Sequence, residues 1–149
     1  MSAATDLMFG KETRALPVSE LVDHVLAPFQ DETCKIRVEG SQVLVPNKAI
    51  SGLAMALHEL ATNAVKHGAL SVPAGGIDVR WQSTVEGALE LHWKEHGGPP
   101  VAEPEHVGFG TQLLRRGALP PPHRVDLCYP ACGLEARIHV AGDDPSPDQ

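Results

Sequence analysis

The run from His58 to Gly68, HELATNAVKHG, holds the side chains of this sequence best suited to chemistry. Glu59, Asn63 and the pair Lys66/His67 fall at i, i+4 and i+7/i+8, so a helix stacks them on one face. That face offers a carboxylate, a carboxamide oxygen, an ammonium and an imidazole along about two turns. The opposite face, Leu53, Leu57, Leu60, Ala61 and Ala64, reads as core. A chemically mixed stripe on a helix this apolar needs a ligand or solvent to face. The mixture suits a metal–nucleotide: oxygen for Mg²⁺, cations for phosphate and a carboxylate to take a proton.

Two further segments carry chemistry, in a fixed order after the helix. In Trp93-Lys94-Glu95-His96-Gly97-Gly98-Pro99 a carboxylate at a strand end is followed at once by a Gly-Gly turn. A carboxylate there can accept a hydrogen bond from an adenine amino group, and bare glycines let a flat base approach the backbone. In Gly108-Phe109-Gly110-Thr111 the glycines precede a short helix, whose free N–H groups can cradle phosphates.

The elements that must position these groups follow from periodicity. Val18, Leu21, Val22, Val25 and Leu26 give a short amphipathic helix that Pro28 stops. Ile36 and Val38 alternate with charged residues as a strand, and Gly40-Ser41 reads as the turn into a second strand over 42–45. The long helix spans about 48–67, with Asn47 as candidate cap and Gly68 as its stop. Ile77, Val79 and Trp81 alternate along one strand and Leu89, Leu91 and Trp93 along the next, with Glu86-Gly87 as their hairpin turn. A lid over 100–107, a short helix over 111–117 and two last strands, over 125–129 and 134–140, complete the pattern. The expected fold class is α+β, a two-layer sandwich of a mixed or antiparallel sheet with helices on one face. A lead-in is expected over 1–12, one domain over 13–141 and a flexible tail over 142–149.

Composition narrows the function classes. At 149 residues the chain supports one hydrophobic core. A formal charge of −7 argues against a general nucleic-acid or anionic-membrane binder, so an anion must be held locally. Cys34, Cys128 and Cys132 lack metal-like spacing and read as reduced thiols of a cytoplasmic protein. The sequence has neither a stretch of about 20 apolar residues nor a signal-peptide pattern, so no membrane contact is expected.

The three boxes together resemble the catalytic and ATP-binding domain of a sensor histidine kinase, in the GHKL ATPase superfamily. HELATNAVKHGALS is similar to the N box of the HWE family, WKEHGGPPV to its first glycine box and GFGTQLL to its second. The family's signature letters fall on His58, Trp93 and Glu95, and the similarity runs from about Arg14 to Val140. The resemblance implies a Bergerat-type ATP-binding fold and ATP with Mg²⁺ as ligands. Asn63 would ligate the metal, Glu59 would be the general base, and Lys66 and His67 would lie near the phosphates. Glu95 would take the place of the adenine-reading aspartate, Gly97 and Gly98 would line the base pocket, Gly108, Phe109 and Gly110 would form the end of the ATP lid, and Thr111 would join the ATP-binding residues. The implied partners are a phospho-acceptor histidine domain, in cis or in trans, and a response regulator.

Plainer readings hold for several neighbours. His58 is one position off the polar stripe and reads as structural. Trp93 reads as packing beside the sheet, Arg115 and Arg116 as solvated helix ends, and His24 as a surface residue. The residues before the family match are too few for an acceptor hairpin, so the acceptor is expected on a separate element and the isolated domain is expected to be a monomer. The alternative reading is a stand-alone GHKL serine kinase that grips a partner, like the anti-sigma-factor kinases. The Trp-x-Glu-x-Gly-Gly-Pro form of the first glycine box argues against it. A degenerate domain that binds partners without nucleotide is opposed by the intact Glu59, Asn63 and glycines.

Overall fold

The computed structural model describes residues 16–30, 35–84, 87–99, 119, 122–130 and 132–142. In chain order these form β1 (Leu16–Pro17), α1 (Val18–Leu26), β2 (Ile36–Gly40), β3 (Leu44–Val45), α2 (Ile50–Lys66), β4 (Gly76–Ser83), β5 (Leu89–His96), β6 (Arg124–Cys128) and β7 (Glu135–Val140). Short 3₁₀ turns lie at Ala27–Phe29, Asn47–Ala49 and Ala69–Ser71. Five strands make one sheet in the order β2-β4-β5-β7-β6, while β1 and β3 pair only with each other. β2 runs parallel to β4 and the other three pairings are antiparallel, so the sheet is mixed. A parallel neighbour needs a long crossover, and the segment carrying α2 supplies it.

Strict alternation decides which face is buried. Ile77, Val79 and Trp81, then Leu89, Leu91 and Trp93, then Ala136, Ile138 and Val140 all point into one core. They share it with Leu21, Val22 and Leu26 of α1 and Leu53, Leu57 and Leu60 of α2. Arg80, His92 and Arg137, at opposing register positions on three adjacent strands, stay exposed on the other face. The molecule is therefore the expected two-layer α+β sandwich, with both helices on one side of the sheet.

The β4–β5 hairpin forms as its alternation predicts. Gly87 sits at φ +83°, where an L side chain is strained, and its N–H donates to the Thr84 carbonyl at 3.0 Å. The turn before β7 is closed by the Gly133 N–H on the Pro130 carbonyl at 3.0 Å, and Cys128 and Cys132 at its ends are free thiols.

Two local expectations are overturned. The segment 36–45 does not fold back as a hairpin. A Cβ at Gly40 would sit 2.2 Å from the Trp81 indole, so the glycine exists to let that ring lie across the strand. The Trp81 Nε1–H donates to the Ser41 carbonyl at 2.7 Å, and the Val18 N–H donates to the Val43 carbonyl at 2.8 Å. These contacts tie β2 to β4 and pull the next residues toward α1, leaving only Leu44–Val45 as a strand, paired with Leu16–Pro17. Asn47 does not cap the long helix by its side chain. The helix enters through the 3₁₀ turn instead, with the Ala49 N–H satisfied by the Pro46 carbonyl at 2.9 Å. The lead-in, Cys34, Glu86, the lid over 100–107, Gly108, Phe109, Gly110, Thr111, the helix expected over 111–117 with Arg115 and Arg116, and residues 143–149 of the tail lie outside the described residues.

Candidate active site

α2 presents its polar stripe because its other faces are fixed in the core. Leu53, Leu57, Leu60, Ala61 and Ala64 are fully buried, which leaves Glu59 and Asn63 half-buried and Lys66 and His67 exposed. Lys66 is the last helical residue, and the His67 N–H closes the helix on the Asn63 carbonyl at 2.8 Å. The stripe thus ends with the Lys66 ammonium at the negative end of the helix dipole, where a cation is stabilised. His58 is exposed, off this stripe, and its ring meets Phe29 edge-on with centroids 5.8 Å apart. It packs α2 on the turn after α1, the structural role its position suggested. Among the described residues no cluster of three or more His, Cys, Asp or Glu is placed to hold a metal by itself. A cation taken up through the Asn63 carboxamide would draw its remaining oxygens from phosphate and water, a donor set that suits Mg²⁺.

The second half of the site forms where β5 ends beside the end of α2. Glu95 is only 2% exposed, the sole charged side chain buried among the described residues. Its Oε1 accepts from the Ala69 N–H at 3.0 Å and its Oε2 from the Trp93 Nε1–H at 3.0 Å. Burial pushes the Glu95 carboxyl above its ordinary range, a shift that these two hydrogen bonds oppose without cancelling. Glycines crowd the same corner. A Cβ at Gly68 would come 2.3 Å from Glu95 Oε1, and one at Gly98 would come 2.7 Å from the Ala69 Cα. Gly97 takes φ +71° and lies against the Ala74 carbonyl. The expected base-pocket residues Glu95, Gly97 and Gly98 therefore meet the end of the N-box helix at a surface made of backbone. The glycines here let main chain pack directly against main chain and against the carboxylate.

A groove of about 610 Å³ opens on the other face of the sheet, lined by Glu39, Arg80, His92 and Arg137 among others, and contains none of the expected site residues.

Against known proteins, no family profile matches the chain. It is 32% identical over 143 residues to a blue-light-activated histidine kinase of Erythrobacter litoralis, covering 93% of this chain and 39% of that protein. It is 35% identical over 118 residues to a blue-light-activated histidine kinase of Brucella anthropi, covering 76% of this chain and 24% of that one. The chain thus spans less than half the length of these relatives. In fold it superposes on the histidine kinase domain of the Erythrobacter litoralis EL346 kinase with TM-score 0.66 at 16% identity, over 83% of this chain and 62% of that one. The Acinetobacter baumannii histidine kinase AdeS gives TM-score 0.65 at 15% identity, over 88% and 68%. The chain belongs to the HWE-type histidine kinase catalytic domains.

Within this kinase domain, some contacts went unread in the sequence. Gly68 is more than a helix stop, since it also makes room for the Glu95 carboxylate, and Ala69 contributes through its N–H alone. Gly133 is pressed against the Glu95 backbone, where a Cβ would meet the carbonyl oxygen at 2.0 Å. Trp93 does pack in the core, fully buried, but its one polar atom reaches Glu95. The i, i+2 spacing of Trp93 and Glu95 on a strand was the available signal, because it puts both on one face.

Proposed function

We propose that this kinase domain binds ATP with Mg²⁺ and transfers the γ-phosphoryl group to a histidine on a separate acceptor element, for relay to a response-regulator aspartate. The observation that carries the reading is the meeting of the α2 and β5 ends around the buried Glu95 carboxylate and the bare glycines. The membership in the histidine kinase catalytic domains supplies the reaction class.

In this reading Glu95 accepts a hydrogen bond from the adenine amino group, and Gly97 and Gly98 line the ring. Asn63 offers its side-chain oxygen to the metal, and Lys66 and His67 lie near the phosphates at the end of α2. Gly108, Phe109, Gly110 and Thr111, outside the described residues, belong to the ATP site by the family resemblance. Bound Mg²⁺ supplies charge neutralisation across the phosphate oxygens. An acceptor imidazole nitrogen bonds to the γ-phosphorus as the bond to the β,γ-bridging oxygen breaks. Glu59 takes the proton released from the imidazole, and ADP leaves with the electron pair. Positioning and electrostatics provide most of the rate in such a transfer, so the domain without its acceptor binds nucleotide yet turns over poorly. A monomeric, cytoplasmic domain suits the role, and no described helix is long and apolar enough to cross a membrane.

The test is calorimetric titration with a non-hydrolysable ATP analogue, with and without Mg²⁺. Magnesium-dependent binding is expected, and Asn63→Ala should weaken it by about 100-fold or more while circular dichroism and melting stay near wild type, as a half-buried side chain predicts. Affinity unchanged by the substitution with Mg²⁺ present would remove Asn63 from the metal site. No binding at millimolar nucleotide would sink the nucleotide reading itself.

A further inference from the structure

We infer that Trp93 is a positioning residue for base recognition: its indole N–H fixes the Glu95 carboxylate so that an unfilled acceptor position faces the amino group of the base. The inference rests on the reading of Glu95 as the adenine contact and deepens it.

A fully buried indole must find an acceptor for its N–H, and a backbone carbonyl would serve at little cost. Trp93 uses a buried carboxylate instead. A buried carboxylate is expensive, and it is held here by only two donors among the described residues, one on each oxygen. An ionised carboxylate has about four acceptor positions, so each oxygen keeps room for another donor. Its described neighbours include Gly68 and Ala69 at the end of α2 and Trp93 on its own strand, with Ile77 opposite in the β4 register and Gly133 and Leu134 against its backbone. None of these described neighbours is charged, and the two described hydrogen bonds to the carboxylate come from a backbone N–H and the indole.

The geometry is stiff on both sides. Trp93 is locked in the core and Ala69 in a 3₁₀ turn, so the plane of the carboxylate is set by two fixed donors. Gly68 lets its own backbone lie close to Oε1, where a Cβ would strike the oxygen. An exocyclic amino group that reached Glu95 beside Gly68 and Gly98 would add a third donor to the two found among the described residues. A ring without that amino group would offer nothing to Glu95. Replacing Trp93 by Phe keeps most of the packing and removes only the Oε2 donor.

The experiment compares ATP with purine riboside triphosphate, which lacks the 6-amino group, by calorimetry on the whole chain with Mg²⁺. Hydrogen bonds to charged groups predict that wild type prefers ATP by about 10-fold or more. Trp93→Phe should weaken ATP by about 5- to 10-fold and leave the analogue within about 2-fold, shrinking the preference. Equal weakening of both nucleotides, or weakening of neither, would reduce Trp93 to packing and overturn the inference while leaving the Glu95 reading intact. A wild type without preference would overturn both, and binding of neither nucleotide would overturn the nucleotide reading beneath them. If Trp93→Phe does not fold, the wild-type protein still decides. With two tryptophans it has two indole N–H resonances, and the one moved by Glu95→Gln identifies Trp93. That resonance should shift with ATP and stay in place with the analogue, and an identical response to both would overturn the inference.

Discussion

The two tryptophans occupy equivalent places on neighbouring strands and solve the same problem in different ways. Trp81 and Trp93 both point into the core, and each hands its N–H to an acceptor, 2.7 Å and 3.0 Å away. Each acceptor also lies beside a glycine that a methyl group would fill, Gly40 under the Trp81 ring and Gly68 against the Glu95 carboxylate. The acceptor itself differs. Trp81 uses the Ser41 carbonyl, a neutral group at the sheet edge, whereas Trp93 uses a charge inside the molecule. A carbonyl satisfies an indole at no electrostatic cost, so the Trp81 arrangement needs no explanation beyond folding. The carboxylate beside Trp93 carries a desolvation penalty that folding alone does not require.

The largest effect that separates the two places comes from their glycines. Gly40→Ala would drive a methyl group to 2.2 Å from the Trp81 ring, and overpacking of this kind destabilises by about 1–3 kcal/mol. Its melting temperature should fall while ATP affinity in the surviving folded fraction stays at the wild-type value. Gly68→Ala meets the Glu95 oxygen at 2.3 Å and the Ala64 Cα at 3.0 Å, so it should both destabilise and lose ATP affinity by about 10-fold or more. Affinity lost equally in both variants would show that the comparison misplaces the nucleotide.

A smaller contrast lies in the rings. Trp81→Phe should cost about 1–2 kcal/mol, from a lost hydrogen bond and a modest cavity, and leave the preference for ATP over its 6-desamino analogue untouched. Ser41 is exposed, so water can take over its carbonyl. Chemical denaturation and the paired titrations measure both quantities. A drop in preference as large as that expected for Trp93→Phe would mean that the two rings act through the sheet as a whole.

The same contrast shows what the sequence discloses. The polar and apolar sides of α2, the β4–β5 hairpin and the sandwich class were legible, because burial periods of 3.6 and 2 are written into single residues. The pairing of β2 was not. Gly40-Ser41 looks locally like a turn, and only the Trp81 ring, distant in sequence, explains why the strand runs on beside β4. Asn47 failed as a cap for a similar reason, since a backbone carbonyl already closed the entry turn. In the site, Glu95 and the glycines could be singled out by type and order. Their convergence with Ala69 could not, because a backbone N–H leaves no mark in a sequence.

The smallest effect is a dependence on pH that belongs to one side of the comparison alone. The Ser41 carbonyl does not titrate, so the Trp81 contact is indifferent to pH. Burial, chiefly, raises the Glu95 carboxyl in the folded domain above its ordinary range. A raised carboxyl binds more protons folded than unfolded at intermediate pH, so folding stability falls as pH rises from the unfolded pKa through the folded one. Below that window the contribution is constant, and above it the loss is complete. Glu95→Gln removes the titration, although its amide nitrogen faces one of the two N–H donors and forfeits a hydrogen bond. The variant should therefore be the less stable protein in acid and recover relative to wild type as pH rises through the window. Denaturation midpoints for both proteins across the weakly acidic range check this directly. Parallel curves would mean that the carboxylate titrates alike folded and unfolded, and the buried charge that distinguishes Trp93 from Trp81 would lose its energetic basis.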